Sequence, residues 1–323
     1  MSIKEAYMNE IATTTATTPQ STNLGSLIER YTAYLDTTAK TIETYSRALK
    51  QLFLYLQDND INNPQREDII AFRDNLKATG HKPTTVQNYI TAVRIFFTWT
   101  AQEGLYPNIA EHIKGAKLSR EHKKDSLTSD QIEEVLLSID HSTLQGKRDF
   151  AIFSLMVNCG LRDIEVSRAR VEDMRAIGNI TALFVQRKGR EERAEYVIVP
   201  KETEKAIRAY LRDRGSYKDS DPLFSSLSNN SLNKELSTRS ISGLIKACLI
   251  NAGYNSSRLT AHSLRHTAAT LALEGGEEVT KVQEALGHSS VMTTMNYVHS
   301  LEKAKNTCSN TVARQIKRGY EWL

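Results

Sequence analysis

The sequence predicts a mainly α-helical protein of two domains, with one small β-hairpin in the second domain. A chain of 323 residues is long enough for about two domains. Apolar residues recur at helical spacing through most of the chain, whereas the alternation typical of strands is confined to residues 179–200. Hydrophobic residues make up 40% of the chain and charged residues 25%, which is the balance expected of a soluble globular protein.

The first domain is predicted to be all-helical and to span residues 24–113. The preceding residues 1–23 are rich in Thr, Ser and Asn, lack hydrophobic periodicity and are predicted to form a flexible tail. Four apolar series at helical spacing lie between Leu24 and Gly104. Pro83 opens the last of them, because the fixed φ angle of proline suits the first turn of a helix.

A basic linker is predicted at residues 114–125, followed by a second domain over residues 126–299 and a C-terminal segment over residues 300–323. Thr128 is the predicted N-cap of the first helix of this domain, because Gln131 follows three residues later and completes a capping box.

The β signal predicts a hairpin with strands Ile180–Gln186 and Tyr196–Val199, joined by a turn through residues 188–190. An apolar helix over residues 150–160 precedes it and ends at Gly160. Helical patterns return after the hairpin. The second domain is therefore expected to be mixed α+β with a helical majority.

The charge and the cysteine content limit the classes of function that the protein can have. The 42 basic and 38 acidic residues leave a net charge of +4, a weak nucleic-acid signal on its own. Three widely separated cysteines suit a reducing compartment and argue against a disulfide framework or a zinc cluster. With no apolar run of about 18–20 residues and no signal-peptide core, the cytoplasm is the expected location, with nucleoid association when the protein is bound to DNA.

The stretch HSLRHT at residues 262–267 carries the densest cluster of functional side chains. His262 and Arg265 are three residues apart and share one face of a helix. A zinc site built on His262 and His266 is the first alternative, but a zinc protease needs a glutamate where Ser263 stands. Because a guanidinium binds anions, a phosphate is the favoured ligand and no metal site is expected.

Two helices of the first domain and the linker present polar and basic side chains that suit phosphates and base edges, although a solvated surface is the alternative for each. The DNA-binding candidates are Lys40, Thr41, Thr44, Arg47, Lys82, Thr84, Thr85, Gln87, Arg94, Lys114, Lys117, Lys123 and Lys124.

Four stretches of the second half, CGLRDIE, QRKGREER, HSLRHT and LGHSSVMTTMNYVH, together resemble the tyrosine recombinases, also called the phage integrase family. Their order is Arg, Lys, His-x-x-Arg, His and Tyr, spread over about 135 residues. The matching positions are Arg162, Lys188, His262, Arg265, His288 and Tyr297, with Glu165 as a supporting acid. The resemblance implies a core-binding SAM-like domain followed by the family's catalytic domain.

Chemistry gives each of these residues a predicted role. Arg162 and Arg265 can neutralise the charge that develops on the phosphate oxygens. Tyr297 is the predicted nucleophile, which would form a phosphotyrosyl ester.

The remaining residues are assigned to proton transfer or orientation. His262 is the predicted base and Lys188 the general acid for the leaving 5′ oxygen. His288 is expected to bind the phosphate or to position the tyrosine, and Glu165 to orient His262 or an arginine. His266 is interpreted as structural.

The resemblance further implies a homotetramer on two double-stranded DNA sites with inverted repeats, a Holliday junction intermediate and no cofactor. An accessory protein or a second recombinase is a possible partner, and the C-terminal segment is a candidate for packing on a neighbouring protomer. Integration and excision of a mobile element is the favoured role, with Xer-like dimer or cointegrate resolution as the alternative. From other classes, a catalytically silent DNA-binding protein and a type IB topoisomerase stay open.

Overall fold

A computed structural model gives the fold. It describes residues 24–117, 125–187, 189–190, 192–288, 290–304 and 308–316. The predicted tail, the C-terminal residues from position 317, and Lys123, Lys124 and Lys188 lie outside the described residues. The chain divides into two compact units, Met1–Arg120 and Glu121–Leu323, which we call the N-terminal and C-terminal units.

The regular elements in the described part of the N-terminal unit are all helices. Its helices are α1 (Leu24–Tyr34), α2 (Ala39–Asp58), α3 (Arg66–Ala78) and α4 (Pro83–Gln102). Thr38 caps α2 by accepting a hydrogen bond from the backbone N–H of Thr41, and Pro83 occupies the first turn of α4 as predicted. The apolar faces of α2, α3 and α4 meet in a core that contains Leu52, Phe72 and Trp99.

The C-terminal unit surrounds one helix that is buried along most of its length. Its helices are α5 (Ser129–Ser138), α6 (Leu144–Cys159), α7 (Asp163–Arg168), α8 (Lys201–Arg214), α9 (Thr238–Asn251), α10 (Ala261–Glu274), α11 (Val279–Leu286), α12 (Val291–Ala304) and α13 (Cys308–Ile316). Short 3₁₀ turns lie at Val171–Asp173 and Asn229–Ser231. The buried helix is α6, which packs against α8 and α10.

The capping prediction for α5 is confirmed: the side chain of Thr128 accepts from the backbone N–H of Gln131, whose side chain accepts from Thr128 in return. Gly160 ends α6 in the left-handed conformation, with φ of 61°. A Cβ at this position would lie 2.3 Å from Leu286, so both the turn and the close packing require glycine.

A three-stranded antiparallel sheet, in the order β1–β2–β3, lies between α7 and α8. The strands are β1 (Met174–Ile177), β2 (Ile180–Val185) and β3 (Glu195–Val199). The predicted hairpin is present as β2 and β3, each shifted by one residue at its turn-facing end. The strand β1 was missed because its exposed residues show no apolar alternation, although the turn Gly178-Asn179 before β2 is a hairpin signal.

The fold class is confirmed as mostly helical with a small antiparallel sheet. No helix in the described ranges combines the length and the apolar character that a bilayer crossing requires.

Candidate active site

Arg162 is the N-cap residue of α7 and lies two residues after the left-handed Gly160. Its Nη1 donates to Oε1 of Glu165 at 2.7 Å, and its backbone N–H donates to Oε2 of the same carboxylate at 2.9 Å. Glu165 is buried, whereas the side chain of Arg162 keeps 24% of its surface exposed. The buried carboxylate therefore holds the guanidinium in place, and the exposed part of the guanidinium can contact a ligand. An arginine, one of the two partners expected for Glu165, is in contact with it.

Arg265 on α10 is among the largest fully buried side chains of the protein. Its two terminal nitrogens donate to backbone carbonyls, Nη1 to Gly160 at 2.8 Å and Nη2 to Leu286 at 2.6 Å. Burial, followed by the charge of Arg162, lowers the pKa of Arg265 to about 10, so this guanidinium is still charged at neutral pH. Arg265 thereby joins the turn before Arg162 to the end of α11.

Tyr297 on α12 is only 4% exposed. The ring of His266 meets it edge-on with ring centroids 5.1 Å apart, and the ring of His288 stacks against it at 6.3 Å. His262, which is exposed, contacts His266 with ring centroids 4.8 Å apart. Burial raises the pKa of Tyr297, while the charges of the two arginines, Arg265 and Arg162, act in the opposite direction.

His288 follows α11 after Gly287, whose φ of 60° ends that helix in the left-handed conformation. Its Nδ1 lies 2.9 Å from Oγ1 of Thr294 on α12. Burial, followed by the charges of Arg265 and Arg162, lowers the pKa of His288 to about 4. His288 is therefore neutral at physiological pH. If Nδ1 accepts the proton of Thr294, Nε2 is left as a donor.

The C-terminal unit thus brings together five of the predicted residues, Arg162, Glu165, Arg265, His288 and Tyr297, with His262 reaching Tyr297 through His266. Ser263, the residue that argued against a zinc protease, belongs to the cap of α10: its Oγ accepts from the backbone N–H of Thr260 at 2.9 Å. Among the described residues, no three His, Cys, Asp or Glu side chains are grouped as a metal site.

Sequence reasoning missed Arg187, which is 4% exposed and contacts Glu165 from the base of the hairpin. His266, which was interpreted as structural, packs between His262 and Tyr297. No sequence signal distinguished Arg187 from the solvated basic residues around it.

The described DNA-binding candidates lie in the N-terminal unit, and each of them is at least partly exposed. Lys40 and Arg47 on α2 both pair with Glu43, at 2.7 and 2.8 Å. The hydroxyl of Thr44 donates to the carbonyl of Lys40 at 2.9 Å, so a DNA phosphate would have to displace that intrahelical bond to receive its proton.

Gln87 behaves differently from the other candidates. Its amide lies so close to Gly115 that a Cβ there would come within 2.1 Å of Oε1. The side chain therefore packs against the chain that leads into the predicted linker. Lys114 and Lys117 at the start of that linker are exposed.

Comparison with known proteins identifies the family. Residues 125–304 match the phage integrase family, and residues 28–104 match the phage integrase N-terminal SAM-like domain. The chain belongs to the phage integrase family. Tyrosine recombinase XerC of Chlamydia trachomatis is 31% identical over 265 residues, which cover 78% of this chain and 80% of that protein. Tyrosine recombinase XerD of Listeria innocua is 28% identical over 272 residues, covering 81% of this chain and 88% of the other.

Solved structures of recombinases share the fold. XerH bound to a palindromic difH substrate has a TM-score of 0.71 at 21% identity, covering 95% of this chain and 89% of that one. A lambda integrase dimer bound to a COC′ core site has a TM-score of 0.66 at 18% identity, covering 84% and 96% of the respective chains. The recognition made on sequence motifs is confirmed: this protein is a tyrosine-type, site-specific DNA recombinase.

Proposed function

We propose that this recombinase cuts and rejoins DNA through a covalent ester between Tyr297 and a 3′ phosphate. The observation that carries the proposal is the convergence of Arg162 and Arg265 on the buried Tyr297: burial raises the pKa of this phenol, and the charges of both arginines act against that rise. Two guanidinium groups beside a phenol suit a reaction in which negative charge builds up on non-bridging phosphate oxygens as the phenol attacks.

The proton transfers balance in both directions. In cleavage, the oxygen of Tyr297 bonds to phosphorus, its proton passes to His262, and the bond from phosphorus to the 5′ oxygen breaks. Lys188 would protonate that oxygen as it leaves. In rejoining, a 5′-hydroxyl attacks the ester and the same protons return. Because the ester retains the bond energy, the scheme requires no nucleotide or metal.

Supporting roles follow from the contacts. Glu165 holds Arg162 through both the guanidinium and the backbone N–H. His288, neutral and bound to Thr294, would donate a hydrogen bond from Nε2 to the phosphate. The candidates on the N-terminal unit, together with Lys114 and Lys117, would contact the DNA backbone and base edges.

The proposed assembly is a homotetramer on two DNA sites with inverted repeats, passing through a Holliday junction. A lambda integrase tetramer bound to a Holliday junction shares the fold, with a TM-score of 0.66 at 17% identity. Helix α13 has no buried residue, and its apolar Val312 and Ile316 are more than half exposed. An exposed apolar stripe on a terminal helix suits packing on a neighbouring protomer. Truncation at about Thr307 should then preserve DNA binding and weaken synapsis, and unchanged recombination would refute this packing.

The biological role has two candidates. Integration and excision of a mobile element, the first, is supported by the shared fold of a Tn1549 transposon integrase bound to transposon right end DNA, at 17% identity and a TM-score of 0.65. Xer-like dimer or cointegrate resolution, the second, is favoured by the XerC and XerD relatives, which match most of this chain. Cleavage sites beside the protein's own gene would support the first role, and one chromosomal or plasmid site elsewhere the second.

The first experiment incubates the purified protein with DNA that flanks its gene and with genomic fragments. After denaturation, covalent protein–DNA adducts are sought at 3′ ends, with Tyr297→Phe in parallel. We expect an adduct in the wild type that is absent in the variant. DNA binding without an adduct would favour the silent DNA-binding protein or a missing accessory partner. Adducts at unrelated sequences, with supercoil relaxation, would favour the topoisomerase, and an adduct in Tyr297→Phe would refute the assigned nucleophile.

A further inference from the structure

Arg187 is a buried arginine at the base of the β2–β3 hairpin that the proposed chemistry does not use. Its side chain is 5% exposed and its guanidinium contacts two carboxylates and one carbonyl. Nη1 lies 3.4 Å from Oε2 of Glu165, Nε donates to Oε2 of Glu195 at 3.1 Å, and Nη2 donates to the carbonyl of Ala285 at 3.0 Å. Removing a charged group from water is energetically unfavourable unless it has well-placed partners, and these three contacts provide such partners.

We propose that Arg187 is a positioning residue that holds Arg162 and the turn before His288 in their catalytic places. The inference rests on the proposed function, because Arg187 would position the same residues that are proposed to bind the phosphate. Arg187 itself is not expected to touch the DNA.

The first route runs through Glu165. One oxygen of this carboxylate accepts from the guanidinium of Arg162, and the other accepts from the backbone N–H of Arg162 while facing Arg187. The carboxylate therefore lies between two cations, and its plane is fixed by contacts on both oxygens. Removing Arg187 takes one cation from Oε2 and leaves Glu165 held by the guanidinium and the backbone N–H of Arg162, so the orientation of that guanidinium is less tightly restrained.

The second route runs through the C-terminal end of α11. Arg187 donates to the carbonyl of Ala285 and Arg265 to the next carbonyl, that of Leu286. Cations are stabilising at this end of a helix because its last carbonyls carry partial negative charge. The two arginines thus hold consecutive carbonyls of the turn that leads to His288.

Gly287 shows how closely Arg187 is built into that turn. A Cβ on Gly287 would lie 2.6 Å from Nε of Arg187, so the guanidinium occupies the space a side chain would take. Residues of the turn cannot shift toward the hairpin while Arg187 is present. Arg187 therefore sets the distance between the hairpin and the turn that carries His288.

The test compares Arg187→Ala and Arg187→Lys with the wild type in single-turnover cleavage of the site mapped by the adduct assay. Arg190→Ala is the matched control, because Arg190 is 66% exposed and pairs with the same Glu195. We expect Arg187→Ala to lower the maximal cleavage rate by about 10- to 100-fold, as loss of a supporting contact around reactive groups does. DNA affinity should stay within about twofold, and Arg190→Ala should cleave like the wild type.

A second substrate separates positioning from general damage. In a methylphosphonate at the scissile position, a methyl group replaces one non-bridging oxygen and removes the charge that Arg162 would neutralise. We expect the defect of Arg187→Ala to shrink to less than about threefold on this neutral substrate, because the misplaced charge matters less there. The melting temperature of each variant is measured, and Arg187→Lys carries the comparison if the alanine variant does not fold.

Three results would overturn the inference. The first is a cleavage rate of Arg187→Ala equal to that of the wild type. The second is an equal loss of cleavage rate on the charged and the neutral substrate. The third is a cleavage defect that disappears only when sulfur replaces the 5′ leaving oxygen. The last would mean that Arg187 serves the neighbouring Lys188, since a thiolate leaves without a general acid. Wild-type protein that cleaves no phosphodiester would refute the proposed function instead, so the two failures are distinguishable.

Discussion

Glu43 in the N-terminal unit and Glu165 in the C-terminal unit are each placed between two basic side chains, but their surroundings are opposite. Glu43 pairs with Lys40 and Arg47 along one face of α2, and its side chain is 51% exposed. Glu165 pairs with Arg162 and Arg187, and its side chain is fully buried. The ion pairs of Glu43 are therefore open to water, which can replace either partner, whereas the ion pairs of Glu165 are shielded from water.

This difference matches what each unit is proposed to do. Exposed basic side chains can exchange an acidic partner for a phosphate at small cost, because water screens both interactions. Buried charges keep their geometry because losing a partner is expensive, and a charge that must stabilise a transition state has to be in place beforehand. The predictions that follow test whether burial, and not the number of ion pairs, separates the two units.

The largest effect is expected from removing each carboxylate in turn. Glu165→Ala leaves two arginines without their shared partner in the interior, so the free energy of unfolding should fall by about 3–5 kcal/mol. Glu43→Ala should change it by less than about 1 kcal/mol, because its pairs are solvated. Urea unfolding of the full chain, followed by circular dichroism, measures both. Equal effects of the two variants would contradict the comparison.

The second prediction concerns the pH dependence of stability. The pKa of His288 falls from 6.5 to about 4 on folding, so between these values the unfolded chain binds a proton that the folded chain does not. The contribution of neutral His288 is complete above pH 6.5 and is lost as the pH falls towards 4, by up to about 3 kcal/mol.

Unfolding free energies of the wild type and His288→Gln at pH 7 and pH 4 measure this contribution. The difference between the two proteins should move in favour of the variant at the lower pH. His112→Gln is the control for loss of a histidine, since this side chain in the N-terminal unit is 87% exposed. A difference between wild type and His288→Gln that is independent of pH would show that the burial of His288 does not disfavour its charged form.

Sequence patterns predicted the fold and the chemical groups of the site far better than the environment of those groups. The helical spacing of apolar residues located α2 to α4, because one buried face is enough to define such a pattern. The order of motifs singled out Arg162, Arg265, His288 and Tyr297, and the fold brings these side chains together. Burial is decided by contacts between distant segments, so the interior position of Arg187 was not readable from QRKGREER.

The third prediction compares two glycines with positive φ. Gly80 after α3 has φ of 81° and open space around its missing Cβ, whereas a Cβ on Gly287 would strike Arg187. Gly80→Ala should cost about 1–2 kcal/mol, which is the penalty for a left-handed alanine. Gly287→Ala should cost about 1–3 kcal/mol more, because the guanidinium must also move.

Thermal unfolding of the two glycine variants gives the comparison. The variant Gly287→Ala combined with Arg187→Ala supplies the decisive measurement, since the steric part of the cost should disappear when the guanidinium is absent. If the two substitutions are additive, Arg187 does not restrain the turn.

The smallest effect is expected at the exposed face of α2, and it should appear in DNA binding instead of stability. If Lys40 and Arg47 contact phosphates, alanine at either position should weaken binding by less than about tenfold and reduce the slope of log affinity against log salt by about 1. Glu43→Gln should act in the opposite direction and strengthen binding, because it frees both cations from their acidic partner. Fluorescence anisotropy over a salt series, with Arg190→Ala as an exposed arginine outside the predicted interface, measures the slopes. If Glu43→Gln leaves the affinity unchanged while Lys40→Ala and Arg47→Ala keep the wild-type slope, this face is a solvated surface and the DNA contacts of the N-terminal unit lie elsewhere.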